Sequence, residues 1–164
     1  MEKISQLNNQ FKPNSTAMNA RQGLTPKSDD DVVIVSMART AMTRAKKGPQ
    51  RNTAPEGMLK PVMMDALKKA NNMKGELLGE ICIGNVLQPG SGATSGRMGQ
   101  LLAGIPDTVP FYCVNRMCSS GLQAVMNVAE QISAGNIDIG MGGGVESMSM
   151  FSMQGMVDPS CISE

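Results

Sequence analysis

One of the four cysteines stands where a nucleophile would. Cys118 lies in Val114-Asn115-Arg116-Met117-Cys118-Ser119-Ser120-Gly121-Leu122-Gln123-Ala124, between an apolar run that reads as a strand and a pattern that reads as a helix. At a helix start, partial positive charge and unpaired N–H groups favour the thiolate, which is the reactive form of a thiol. Ser119 and Ser120 are of the types that cap helices. Gly121 leaves room for another backbone or a ligand to approach, as in other turns that carry a nucleophile from strand to helix. The chemistry implied is covalent catalysis through sulfur. Cys82 and Cys113 lie inside apolar runs and read as small core residues, whereas Cys161 lies in a polar tail where nothing would activate it.

Composition narrows the alternatives. The chain has no histidine, so the commonest metal ligand and the commonest general base near neutral pH are both missing. Lys and Arg total 15 against 14 Asp and Glu, a balance that gives nucleic acid or an anionic membrane no field to follow. No run approaches ~18 apolar residues, and the N-terminus has no apolar signal block, so neither a membrane span nor export is expected. The cysteines form no C-x-x-C pair, and free thiols are the expectation. A chain of 164 residues has enough surface to bury for one core.

Positioning Cys118 requires a scaffold, and its elements are legible as changes of apolar period. Residues 1–30 are rich in Asn, Gln, Ser, Lys and Pro and read as a disordered arm. Val32-Val33-Ile34-Val35 reads as a first buried strand. Thr53-Ala54-Pro55-Glu56 opens a helix whose apolar face is Met58, Leu59, Val62, Met63, Ala66 and Leu67, with Pro61 able to kink it. A second strand follows at Ile81-Cys82-Ile83 to Leu87, then a Gly-rich loop and a helix from about Ser95 to Ala103, closed by Gly104 and Pro106. Phe111-Tyr112-Cys113-Val114 is the third strand. The next helix places Leu122, Val125, Met126, Ala129 and Ile132 on its buried face and stops at Gly135, and Ile137 to Gly144 is the fourth strand. Strands alternating with helices give an α/β fold, a mostly parallel sheet with helices on its faces. The domain spans 31–150, and 151–164 reads as a truncated tail that leaves the sheet edge uncovered.

At Asn115-Arg116-Met117-Cys118-Ser119-Ser120-Gly121-Leu122-Gln123-Ala124 the residues resemble the acyl-enzyme cysteine motif of the thiolases. Further segments resemble thiolase segments in the same order: Val33-Ile34-Val35 with Ala38-Arg39-Thr40-Ala41, Gly84-Asn85-Val86-Leu87 with Gly92-Ala93-Thr94, Ala103-Gly104-Ile105-Pro106, and Gly143-Gly144-Val145-Glu146-Ser147-Met148-Ser149. The likeness covers about Asp31 to Met150 and is nearest to 3-ketoacyl-CoA thiolases of the peroxisomal type. Within the arm, Lys3-Ile4 and Gln10-Phe11 are similar to a type-2 peroxisomal targeting signal; failing that signal, the place expected is cytoplasmic or mitochondrial.

The resemblance implies a thiolase-like fold, the first of two similar halves only, with Cys118 as the acyl-thioester nucleophile of fatty-acid β-oxidation. It implies 3-ketoacyl-CoA as substrate, coenzyme A as co-substrate, no bound cofactor or metal, and either a homodimer or pairing with a full-length thiolase. The family's remaining catalytic groups, an activating histidine, a Gly-His-Pro histidine and a Cys-x-Gly cysteine, have no counterpart here, and Cys161 does not match the last. Met117 stands where the family usually has Gln. Little or no turnover is therefore expected of the chain alone; the alternative is a non-catalytic truncated thiolase-like protein acting as a dimerisation partner. Gly90-x-Gly92-x-x-x-Gly96 misses the phosphate-loop spacings and reads as a connection. The run Arg39, Arg44, Lys46, Lys47, Arg51 reads as a solvated loop, the many methionines as adaptable core filling, and Glu146 either as structural or as near the site.

Overall fold

The computed structural model describes residues 28–153. The chain divides into two units, Met1–Asp31 and Val32–Glu164. In the first, the described residues form a turn in which the Asp31 N–H donates to the Ser28 carbonyl (3.1 Å) and the Ser28 N–H to Asp31 Oδ2 (3.0 Å). Lys3, Ile4, Gln10, Phe11 and Cys161 lie outside the described residues.

The second unit is built on a parallel sheet of β1 (Glu80–Gly84), β2 (Phe111–Val114) and β3 (Gly140–Gly144), in the spatial order β2-β1-β3. Gly84 is level with Val114 on one side and with Gly144 on the other, so all three strands end together. Helices α1 (Pro55–Lys69) and α2 (Ala93–Leu102) cover one face, and α3 (Ser120–Ser133) covers the other.

α1 starts on Pro55, where a missing N–H costs nothing, and carries Glu56 in its first turn and Lys68 and Lys69 in its last, all in keeping with the helix dipole. It runs on through Pro61, and its buried stripe is Pro55, Leu59, Met63 and Leu67, narrower than the face the sequence suggests. That stripe joins Leu78, Ile81, Ile83, Ile105 and Val109 in the main core, where each fully buried aliphatic side chain contributes about 1.5–3 kcal/mol.

Three expectations need correction. The sheet has three strands, because Val32-Val33-Ile34-Val35 pairs with nothing among the described residues, and Val33, Ile34 and Val35 are about 70% exposed (69%, 71% and 71%). β-branched residues suit a pleated, half-buried surface, but a neighbouring ladder must supply that surface. The buried stripe of α3 is Ser120, Ala124 and Val128, while Leu122 and Met126 face outward. The cause is close approach: a Cβ at Gly142 would stand 2.7 Å from the Val125 Cα, and one at Gly84 would overlap the Ser120 carbonyl carbon. Against so close a sheet only small side chains fit beneath the helix. Finally, Met63 is the one fully buried methionine among the described residues, so most of these side chains do not fill the core.

Candidate active site

Parallel strands that end together deliver their following loops to one place, and here three loops meet. The loop after β1 is organised by Asn85, only 2% exposed. Its Nδ2 donates to the Val145 carbonyl (2.6 Å) and to Glu146 Oε1 (3.2 Å), and its Oδ1 accepts the Gln88 N–H (2.9 Å). Glu146, just past β3, takes the Val86 N–H (2.9 Å) and Leu87 N–H (3.4 Å) on Oε2. Its carboxylate is thus occupied in tying two loops together. Asn115, after β2, donates from Nδ2 to the Val86 carbonyl (3.2 Å), which fixes the third loop to the first.

Cys118 sits on that third loop and is exposed, whereas Cys82 is fully buried and Cys113 half-buried. Burial raises the Cys82 thiol above its usual range and pushes Cys113 up to about 11, so both are held protonated near neutral pH. Cys118 lies two residues before α3, and Met117 beside it takes a positive φ of 49°. The serines act otherwise than expected. Ser119 occupies the cap position but makes no side-chain cap bond. Ser120 turns its hydroxyl back into the loop, accepting the Arg116 N–H (2.8 Å) and donating to the Met117 carbonyl (2.6 Å). The Arg116 side chain is held along α3 by Gln123, which in turn donates from Nε2 to Asn127 Oδ1 (2.6 Å).

A cavity of about 410 Å³ opens between these loops, within the size range of small-molecule sites. Its walls include Cys118, Gly121, Leu87, Gly144 and Met148. A Cβ at Gly121 would meet no atom within 4 Å, so the room expected there is open, while the Gly121 backbone itself is approached by Gly84 and Gly144. Among the described residues no group of three or more His, Cys, Asp or Glu could hold a metal ion, and no helix is long and apolar enough to cross a membrane.

Two other sequence features resolve into structure. Gly96, the last glycine of the Gly-rich stretch, packs α2 against β2, since a Cβ there would overlap the Phe111 ring, and Gly99 further along α2 meets α1, where a Cβ would lie 2.9 Å from the Leu59 Cβ. The basic run forms a turn whose Lys46 N–H donates to Ser149 Oγ (2.8 Å). Asn85 and Gln88 escape a pattern reading because they follow the strand as ordinary polar residues; a polar residue directly at the end of a buried strand is the signal that marks Asn85.

This geometry can be set beside known proteins. The thiolase N-terminal domain matches residues 32–161. The chain belongs to the thiolase family. It is 52% identical over 128 residues to the peroxisomal 3-ketoacyl-CoA thiolase of Homo sapiens, covering 78% of this chain and 30% of that protein. It is 44% identical over 149 residues to the peroxisomal 3-ketoacyl-CoA thiolase of Yarrowia lipolytica, covering 91% of this chain and 35% of that protein. Among solved structures it resembles the peroxisomal 3-ketoacyl-CoA thiolase of Saccharomyces cerevisiae, described as five-layered with two core domains of identical topology (TM-score 0.74, 37% identity, 79% of this chain and 39% of that one). A second structure, the dimeric peroxisomal thiolase of the same organism, matches with TM-score 0.73 and 37% identity over 87% of this chain and 37% of that one. The thiolase-like chain therefore spans about a third of the length of the relatives it matches.

Proposed function

We propose that this chain supplies the nucleophile-bearing half of a peroxisomal 3-ketoacyl-CoA thiolase. The observation that carries the reading is the contrast among the described cysteines: Cys118 alone is exposed, and it lies on the wall of a cavity at the ends of the strands and ahead of a helix. In this reading the Cys118 thiolate attacks the keto carbon of a 3-ketoacyl-CoA. The bond between that carbon and the adjacent methylene breaks, its electron pair leaves on the acetyl-CoA carbon, and a proton is delivered there. Free coenzyme A then takes the acyl group from sulfur. Negative charge on the thioester oxygens calls for donors, and proton transfer calls for a base. The sequence holds no histidine to act as that base, so in this reading the base comes from outside this chain and the chain by itself turns over little or no substrate. The relatives named peroxisomal, together with Lys3, Ile4, Gln10 and Phe11, support a peroxisomal location.

A second reading, a non-catalytic dimerisation partner, is favoured by the same lack of histidine and by the exposed Leu122 and Met126 on α3. The two separate on mixing the purified chain with a 3-ketoacyl-CoA and following both thiolysis and the intact mass. The first reading expects an acyl adduct on Cys118, absent from Cys118→Ser, with little thiolysis. A folded chain that never acquires the adduct supports the second.

A further inference from the structure

We infer that Ser120 is the residue that holds Cys118 in its working position. The inference rests on the reading of Cys118 as the nucleophile and adds a positioning residue to it. Ser120 heads the stripe of α3 that faces the sheet, followed by Ala124 and Val128, and is only 3% exposed. Packing alone would favour an apolar residue there, since a buried hydroxyl is costly unless bonded. Here it is bonded on both sides: the hydroxyl accepts the N–H of Arg116 and donates to the carbonyl of Met117. The Met117 carbonyl also takes the backbone N–H of Ser120 (3.1 Å), and the Arg116 carbonyl takes that of Ser119 (3.1 Å).

These bonds bracket Met117, whose positive φ is unfavourable for a residue with a side chain and persists only where its surroundings impose it. Cys118 is the next residue, so the direction in which its sulfur leaves the backbone depends on that conformation. The other end of Ser120 cannot shift to compensate, because its backbone is pressed against Gly84 at the end of β1. One residue therefore connects the sheet, through its backbone, with the loop bearing the thiol, through its hydroxyl, at the start of the helix.

The test follows alkylation of each cysteine by iodoacetamide, residue by residue, by mass spectrometry. It compares the whole chain, the same chain unfolded in urea, Ser120→Ala and Ser120→Thr. Protection of buried Cys82 reports that each variant is folded. In the native chain Cys118 should react faster than in the unfolded chain. In folded Ser120→Ala its rate should drop about tenfold, as two bonds are lost, and Ser120→Thr, which keeps the hydroxyl, should restore it. Unchanged Cys118 reactivity in folded Ser120→Ala overturns the inference while leaving the nucleophile reading intact. A native rate no faster than the unfolded one overturns the nucleophile reading itself. If Ser120→Ala loses Cys82 protection, Ser120→Thr decides: native reactivity supports the inference, and a folded threonine variant with a slowed Cys118 overturns it.

Discussion

The two faces of the sheet are built on different principles. On the α1 and α2 face, long aliphatic side chains such as Leu59, Met63, Ile81 and Ile105 interlock in a closed core. On the α3 face the buried apolar set among the described residues is only Cys82, Ala124 and Val128, and contact comes from backbones brought close by Gly84 and Gly142. The first face supplies apolar burial. The second supplies little burial but great positional accuracy, since a helix resting on glycines cannot slide without collision. The face with the smaller core is the one whose helix begins beside the exposed thiol, and its outward side chains Leu122 and Met126 remain in solvent.

This comparison can be broken at its contact points. Gly84→Ala should be the most damaging, at about 3 kcal/mol or more, because the new methyl meets the Ser120 backbone and not a flexible side chain. Gly121→Ala, directly after Ser120 but facing open space, should leave stability unchanged or raise it by up to about 1 kcal/mol through better helix propensity. Urea denaturation of the two variants measures both, and equal losses would refute the close-approach account. On the opposite face Met63→Ala should cost about 2–5 kcal/mol. Leu122→Ala on the outer side of α3 should cost less than about 0.5 kcal/mol, because the side chain that the helical period assigns to the core stands in solvent.

The fold also predicts a pH dependence. Burial pushes the Cys113 thiol from 9.0 up to about 11, so the folded state holds that proton more tightly than the unfolded chain does. The stabilisation is fully present below the unfolded value and is lost as pH rises through the folded one. Stability should fall by about 1–2 kcal/mol between those values, less than the full shift because the group is partly exposed. Cys113→Ala should flatten the fall in urea midpoints taken at stepped pH; a slope unaffected by the substitution would assign it to Cys82 or Tyr112, which burial also raises.

Much was legible in the residues themselves. Phe111–Val114 forms a strand as its pattern predicts, α1 and α3 lie where the helical periods place them, and Cys118 precedes a helix. The likeness of the cysteine segment to thiolases was readable from its residues and is matched by relatives across most of the chain. These features are local, fixed by propensity, periodicity and turn chemistry within a few residues of each other.

Tertiary structure decided the rest. Whether Val32–Val35 becomes a strand depends on a neighbouring ladder, and none is offered among the described residues. Which face of α3 is buried depends on glycines of β1 and β3, distant in sequence, which admit only small side chains. That Glu146 ties loops and that Asn85 gathers them follow from strand ends brought level by the sheet. Sequence determines what each segment can form; only packing determines which groups meet, because hydrogen bonds and contacts require partners that the chain brings together from far apart.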